Sequence, residues 1–146
     1  MGYVVELEIP LRRDHLLLVR RVVQTTAAIH GRLPEHRIED LRLAVSEACA
    51  NAIDAGDAAG NQMPVHISIE AADDHVAVRI TDHVGGFDVS EVDPIPPVTD
   101  PRRLGHERGL GLPLMRTLAD EVTFTRTSDG TEVRLVVRVS PQIGGS

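Results

Sequence analysis

Val65, Ile67 and Ile69, then Val76, Val78 and Ile80, form two alternating runs on either side of a polar turn, Ala71–His75. Successive strand residues point to opposite faces, so these runs predict an antiparallel hairpin with one wholly aliphatic face. Such a face must be covered, and the preceding residues supply the cover. Ile38, Leu41, Val45, Ala48 and Ala52 recur at steps of three and four, the spacing of a helix with a core-facing stripe. Pro34 and Glu35 suit the first turn of that helix, and Gly56 and Gly60 close it. An earlier helical pattern runs from about Arg12 to His30, with Gly31 as its stop. Tyr3, Val5, Leu7 and Ile9 alternate as a first strand that Pro10 ends.

Beyond Asp82 the pattern breaks. Residues His83 to Arg108 carry Gly85, Gly86 and four prolines without sustained periodicity, and loops of that size in compact domains are usually functional. A short helix is expected from Leu112 to about Asp120, with Pro113 tolerated in its first turn. Val122–Arg126 and Thr131–Val139 form a last hairpin around Ser128, Asp129 and Gly130. The order strand, helix, helix, strand, strand, loop, helix, strand, strand predicts an α/β (α+β) fold. It is a two-layer sandwich of a mixed, mostly antiparallel sheet with helices on one face. One domain over residues 1–140 and a flexible tail over 141–146 account for the chain.

Composition narrows the function. Only Tyr3, Phe87 and Phe124 are aromatic, so the core must be built from Val, Ile, Leu and Ala. The net charge of −7 argues against binding a nucleic-acid backbone. All fifteen basic residues are arginine, which excludes the P-loop lysine and any Schiff-base lysine. The lone Cys49 excludes an internal disulfide and a multi-cysteine metal site. The opening MGYVVELEIP lacks the regions of a signal peptide, and no apolar run is long enough to span a bilayer. A soluble, cytoplasmic protein without a membrane partner is expected.

Three constellations could carry chemistry. Glu47 and Asn51 stand four apart on one face of the second helix. A carboxylate there can accept a proton and an amide oxygen can ligate Mg2+, although an ordinary solvated face has the same spacing. Asp82 ends an apolar strand and precedes His-Val-Gly-Gly-Phe-Asp, where glycine permits a tight bend or a close ligand; a plain turn reads the same way. The stretch ERGLGLPLM puts Arg108, Gly109 and Gly111 at a helix start, where free N–H groups and the helix dipole favour a phosphate.

Taken in order, LRLAVSEACANAID, RITDHVGGFD, RGLGLPLMRTLADEVTF and GTEVRLVV resemble the anti-sigma-factor serine/threonine kinases. That family is the partner-switching branch of the superfamily that includes histidine kinases, gyrase and Hsp90. The resemblance runs from the first strand to Val139 and implies the Bergerat-type ATP-binding fold. It implies that Glu47 is the general base toward a substrate serine and that Asn51 ligates the Mg2+ bridging the ATP phosphates. Asp82 would accept from the adenine amino group, Gly86 would shape the adenine pocket, and Thr131 would bond near the base. Arg108, Gly109, Leu110 and Gly111 would wrap the phosphates, Leu112 would join the nucleotide site, and Asp88–Glu107 would be the lid. Arg21 on the first helix is the implied partner contact, a solvated arginine being the alternative.

The implied function is that of an anti-sigma factor with ATP-dependent serine kinase activity. Its partners would be a sigma factor and an anti-sigma-factor antagonist that accepts the phosphate, and it would form a homodimer through the first strand and helix. The alternative is a non-catalytic partner-binding module with a degenerate nucleotide site. Two departures from the family pattern motivate that alternative: Val84 stands where the family has the first glycine after its Asp, and Ala55 where it often has a histidine. If position 84 needed a positive φ, a β-branched side chain would be strained there. Asp54 has no assigned role; an added acid could repel phosphates or help hold the metal.

Overall fold

The computed structural model describes residues 2–84, 108–127 and 129–139. Strand β1 spans Tyr3–Ile9, and a single 3-10 turn at Arg13–His15 leads into α1, Leu16–His30. Helix α2 is Glu35–Ala58, and the hairpin follows as β2, Val65–Ala71, and β3, His75–Asp82. Helix α3 spans Arg108–Leu118, and β4, Glu121–Thr127, pairs with β5, Gly130–Arg138. The sheet order is β1-β2-β3-β5-β4, and all four pairings are antiparallel. The expected parallel component is therefore absent among the described strands. The last hairpin inserts β5, rather than β4, beside β3.

Alternation works as expected. Val5, Leu7 and Ile9 lie opposite Ile69, Ile67 and Val65, and Ile67, Ile69 and Ala71 lie opposite Ile80, Val78 and Val76. Those β3 residues in turn face Val133, Leu135 and Val137. Helices α1 and α2 cover this face with Val19, Val23, Leu41, Val45, Ala48 and Cys49, and α3 adds Met115. No described aromatic residue belongs to the buried core; Phe124 packs against it partly buried. Full burial of each Leu, Ile or Met contributes about 1.5–3 kcal/mol, and an aliphatic core of this size needs no large ring.

Three element ends differ from expectation. Helix α1 starts at Leu16 because Arg13–His15 forms the 3-10 turn. Gly31 ends α1 in an extended conformation rather than the left-handed one; a Cβ there would lie 2.8 Å from the Ala27 carbonyl oxygen and 3.0 Å from Val76. Helix α2 runs through Gly56, where a Cβ would meet the Leu11 side chain at 2.9 Å, and the left-handed stop falls on Gly60 at φ +67°. Helix α3 begins four residues before the expected Leu112. Pro113 thus occupies its sixth position, where it has no N–H to offer the Gly109 carbonyl. No described helix is long and apolar enough to cross a membrane.

Candidate functional site

Helix α2 is long enough to serve two purposes. One face carries the core stripe, while Glu47, Asn51 and Asp54, spaced four and three apart, share the half-buried opposite face. Near the start of α2, the Arg37 guanidinium donates to the Leu118 carbonyl at 3.1 Å and to Asp120 at 3.1 Å, tying it to the end of α3. Asp120 also accepts the Arg138 N–H at 2.6 Å, which fixes the same corner to β5. From Leu118 back to Arg108 is ten residues, as is Arg37 to Glu47, and each span is about 15 Å at 1.5 Å per residue. Helix α3 packs on α2, and Arg108, Gly109, Leu110 and Gly111 form its first turn. Leu112 packs against the core.

The other half of the site lies at the end of the central strands. The Asp82 side chain is buried, and its Oδ1 accepts N–H bonds from Val84 at 3.0 Å and Thr131 at 3.2 Å. Burial raises its pKa above the ordinary carboxylate value of 3.8, and these two N–H bonds oppose the rise. No described residue is seen to donate to Oδ2. Asp82 and Thr131 are register partners across β3 and β5, so the sheet itself brings together these two expected site residues.

Val84 is not strained. No described non-glycine residue has a positive φ, and the Val84 N–H closes a turn onto the side chain of Asp82. The backbone, not the side chain, serves the site at that position. Gly130 is the glycine that matters. A Cβ there would lie 2.0 Å from the Asp82 carbonyl oxygen and 3.1 Å from His83 Cα.

Two further features were not anticipated. The Asn61 amide donates to the His83 carbonyl at 2.6 Å, and its oxygen accepts the Met63 N–H at 2.7 Å. It thereby braces the chain leaving Asp82 from the linker between α2 and β2. Asp54 accepts a forked pair of bonds from Arg13, 3.1 Å from Nε and 2.5 Å from a terminal nitrogen. Gly86 and the expected lid, Asp88–Glu107, lie outside the described residues.

On the outer side of α1 and α2 runs a groove of roughly 650 Å³, lined among others by Leu17, Arg20, Arg21, Gln24, Arg42 and Leu43. Arg20 donates to Ser46 at 2.9 Å, and Arg42 binds Glu39 and Gln24. Arg21 is exposed on the rim of the groove.

The model of the histidine kinase-like ATPase domain matches residues 9–137. The serine-protein kinase RsbW of Bacillus pumilus is 32% identical over 132 residues, which cover 87% of this chain and 81% of that protein. The protein of the same name from Bacillus subtilis is 32% identical over 131 residues, with the same shares covered. Among solved structures, the RsbU and RsbW domains of Rv1364c from Mycobacterium tuberculosis match with a TM-score of 0.67 at 19% identity. That match takes in 94% of this chain and 32% of that longer one. The SiaB–SiaC complex from Pseudomonas aeruginosa matches with a TM-score of 0.64 at 13% identity, over 91% of this chain and 88% of the other. At such identities the two structures speak for the fold.

Proposed function

The chain belongs to the histidine kinase-like ATPase domain family, and we propose that it is an ATP-dependent protein serine kinase that also acts as an anti-sigma factor. The observation that carries the reading is the 32% identity to the serine-protein kinases RsbW over 87% of this chain, beside a family match over residues 9–137 that takes in Glu47, Asn51, Asp82 and Thr131. The buried Asp82 carboxylate, with one oxygen bonded by two backbone N–H groups and the other turned to no described donor, fits an adenine amino group.

In this reading Asp82 and Thr131 hold the base and Gly86 gives it room. Asn51 holds Mg2+, and Arg108, Gly109, Leu110 and Gly111 offer helix N–H groups and a cation to the phosphates, with Leu112 behind them. ATP, when bound, supplies the phosphoryl group. Phosphoryl transfer needs positioning and charge neutralisation more than covalent help. Glu47 accepts the hydroxyl proton of an incoming serine while the serine oxygen bonds to phosphorus and the bond to the leaving phosphate oxygen breaks.

The phosphoacceptor is a serine of an anti-sigma-factor antagonist. The groove between α1 and α2, rimmed by Arg21 and two exposed leucines, suits a sigma factor or antagonist with acidic and apolar residues. The edge of β1, unpaired among the described residues, with Tyr3 stacked on His30 and with Val4 and Ile29 exposed, suits a second copy of the chain. The alternative of a non-catalytic module keeps its two motives, Val84 and Ala55, although no described non-glycine residue has a positive φ.

Titration with ATP and Mg2+ by calorimetry tests the site, and Asn51→Ala should abolish the Mg2+-dependent gain in affinity. Glu47→Ala should keep nucleotide binding and lose phosphotransfer to serine. Transfer that survives in this variant removes Glu47 from the role of base.

A further inference from the structure

Asp54 presents an acid one turn beyond Asn51, on the helix face where a triphosphate would lie, and the structure gives it a specific partner. Arg13 reaches it from the turn preceding α1, across 41 residues of sequence, with a planar fork of two bonds at 3.1 and 2.5 Å. The segment bearing Arg13 is itself seated on α2. Leu11 lies where a Cβ on Gly56 would come within 2.9 Å, two residues along the same helix. The side chains of Arg13 and Asp54 are 54% and 34% exposed, and an ion pair that open contributes little to folding stability. Its effect on a charged ligand nearby is larger. Residues three apart on a helix have Cβ atoms about 5–6 Å apart, so a phosphate beside Asn51 comes within roughly 8 Å of the Asp54 carboxylate. An uncompensated unit charge at that distance changes the affinity for one unit of phosphate charge by roughly thirtyfold at an effective dielectric of about 20 and by roughly twofold at that of bulk water, so an open site lies between the two.

We infer that Arg13 and Asp54 form an electrostatic positioning pair for the nucleotide site. Arg13 cancels the acid that α2 would otherwise turn toward the triphosphate, while Asp54 keeps Arg13 docked on the helix and off the phosphates. The inference rests on the nucleotide reading of this face and adds two residues that the family pattern does not single out.

The test is a double-mutant cycle with wild type, Arg13→Ala, Asp54→Ala and the double variant. Each is titrated calorimetrically with ATP in Mg2+ at about 0.05 M and about 0.5 M salt, where the screening length falls from over 10 Å to under 5 Å. Melting temperatures are recorded for all four. Charge cancellation predicts that Arg13→Ala binds about three- to tenfold more weakly and Asp54→Ala about two- to fivefold more tightly. The double variant should return to within about twofold of wild type, and the differences should shrink at high salt. A clamp that is only structural weakens binding and lowers the melting temperature in both single variants, which overturns the inference. A double variant as weak as Arg13→Ala also overturns it, because Arg13 would then be holding the phosphates itself. Unchanged affinities in a wild type that binds ATP refute the pair alone. A wild type that does not bind ATP removes the nucleotide reading, and the pair's role with it.

Discussion

Replacing Gly130 with alanine places one methyl group against the backbone of Asp82 and touches no proposed ligand contact. The added Cβ would sit 2.0 Å from the Asp82 carbonyl oxygen and 3.0 Å from its carbon, in contact with backbone rather than with a flexible side chain. Relief requires a displacement of at least about 1 Å between the start of β5 and the end of β3, since carbon–oxygen contacts below about 3.2 Å are repulsive. The Thr131 N–H to Asp82 Oδ1 bond, already 3.2 Å long, cannot survive a shift of that size. Overpacking of this kind costs about 1–3 kcal/mol of stability. A misplaced carboxylate loses a charge-assisted hydrogen bond to the ligand, about 1.5–3 kcal/mol, or roughly ten- to hundredfold in ATP affinity. Gly60→Ala is the control. Nothing lies within 4 Å of its Cβ, and its φ of +67° costs about 1–2 kcal/mol of stability without reaching Asp82. Calorimetric ATP titration and thermal melting of the two variants separate the effects. The reasoning fails if Gly130→Ala binds ATP like wild type, or if Gly60→Ala loses affinity equally.

Other expectations follow from the same geometry. Asn61→Ala removes the brace on the His83 carbonyl and should weaken ATP binding several-fold with a stability loss of about 1–2 kcal/mol, measured by the same two assays. Burial raises the Asp82 pKa, so the folded state holds its proton more tightly than the unfolded state. Stability should therefore fall as pH rises from the ordinary carboxylate value through the raised one, and Asp82→Asn should flatten that part of a stability–pH curve while weakening ATP binding. Burial pushes the Cys49 thiol up to about 12, so a thiol-alkylating reagent should leave it unmodified until denaturant is added. Modification of the native protein at a rate similar to that of a small free thiol would contradict its burial.

The elements with strong periodicity were legible in the sequence. The β2–β3 hairpin and the α2 stripe each follow one pattern that only one structure satisfies, and the central core residues emerged from them. The start of α3 was not legible, because Gly109 and Gly111 weaken any local case for a helix and Pro113 seemed to require a later beginning. The same limit applied to Gly130, whose necessity comes from the carbonyl of a residue 48 positions earlier. Asp54 was conspicuous as an extra acid, but Arg13 lies 41 residues away and nothing local connects them. Asn61 looks like any polar residue following a glycine. Its function depends on where β3 ends in space. The condition for strain at Val84, a positive φ, does not arise, which only the backbone itself reveals.

The insertion of β5 between β3 and β4 has a consequence for how the protein acquires function. Asp82 meets Thr131 only after everything between them has been made and the last hairpin has entered the sheet. A chain still lacking β5 presents Asp82 on a bare sheet edge, with the Val84 N–H but without the Thr131 N–H that completes the hold on its carboxylate. If Asp82 and Thr131 hold the base as proposed, nucleotide affinity arrives with the final strand, and binding during refolding would report completion of the fold.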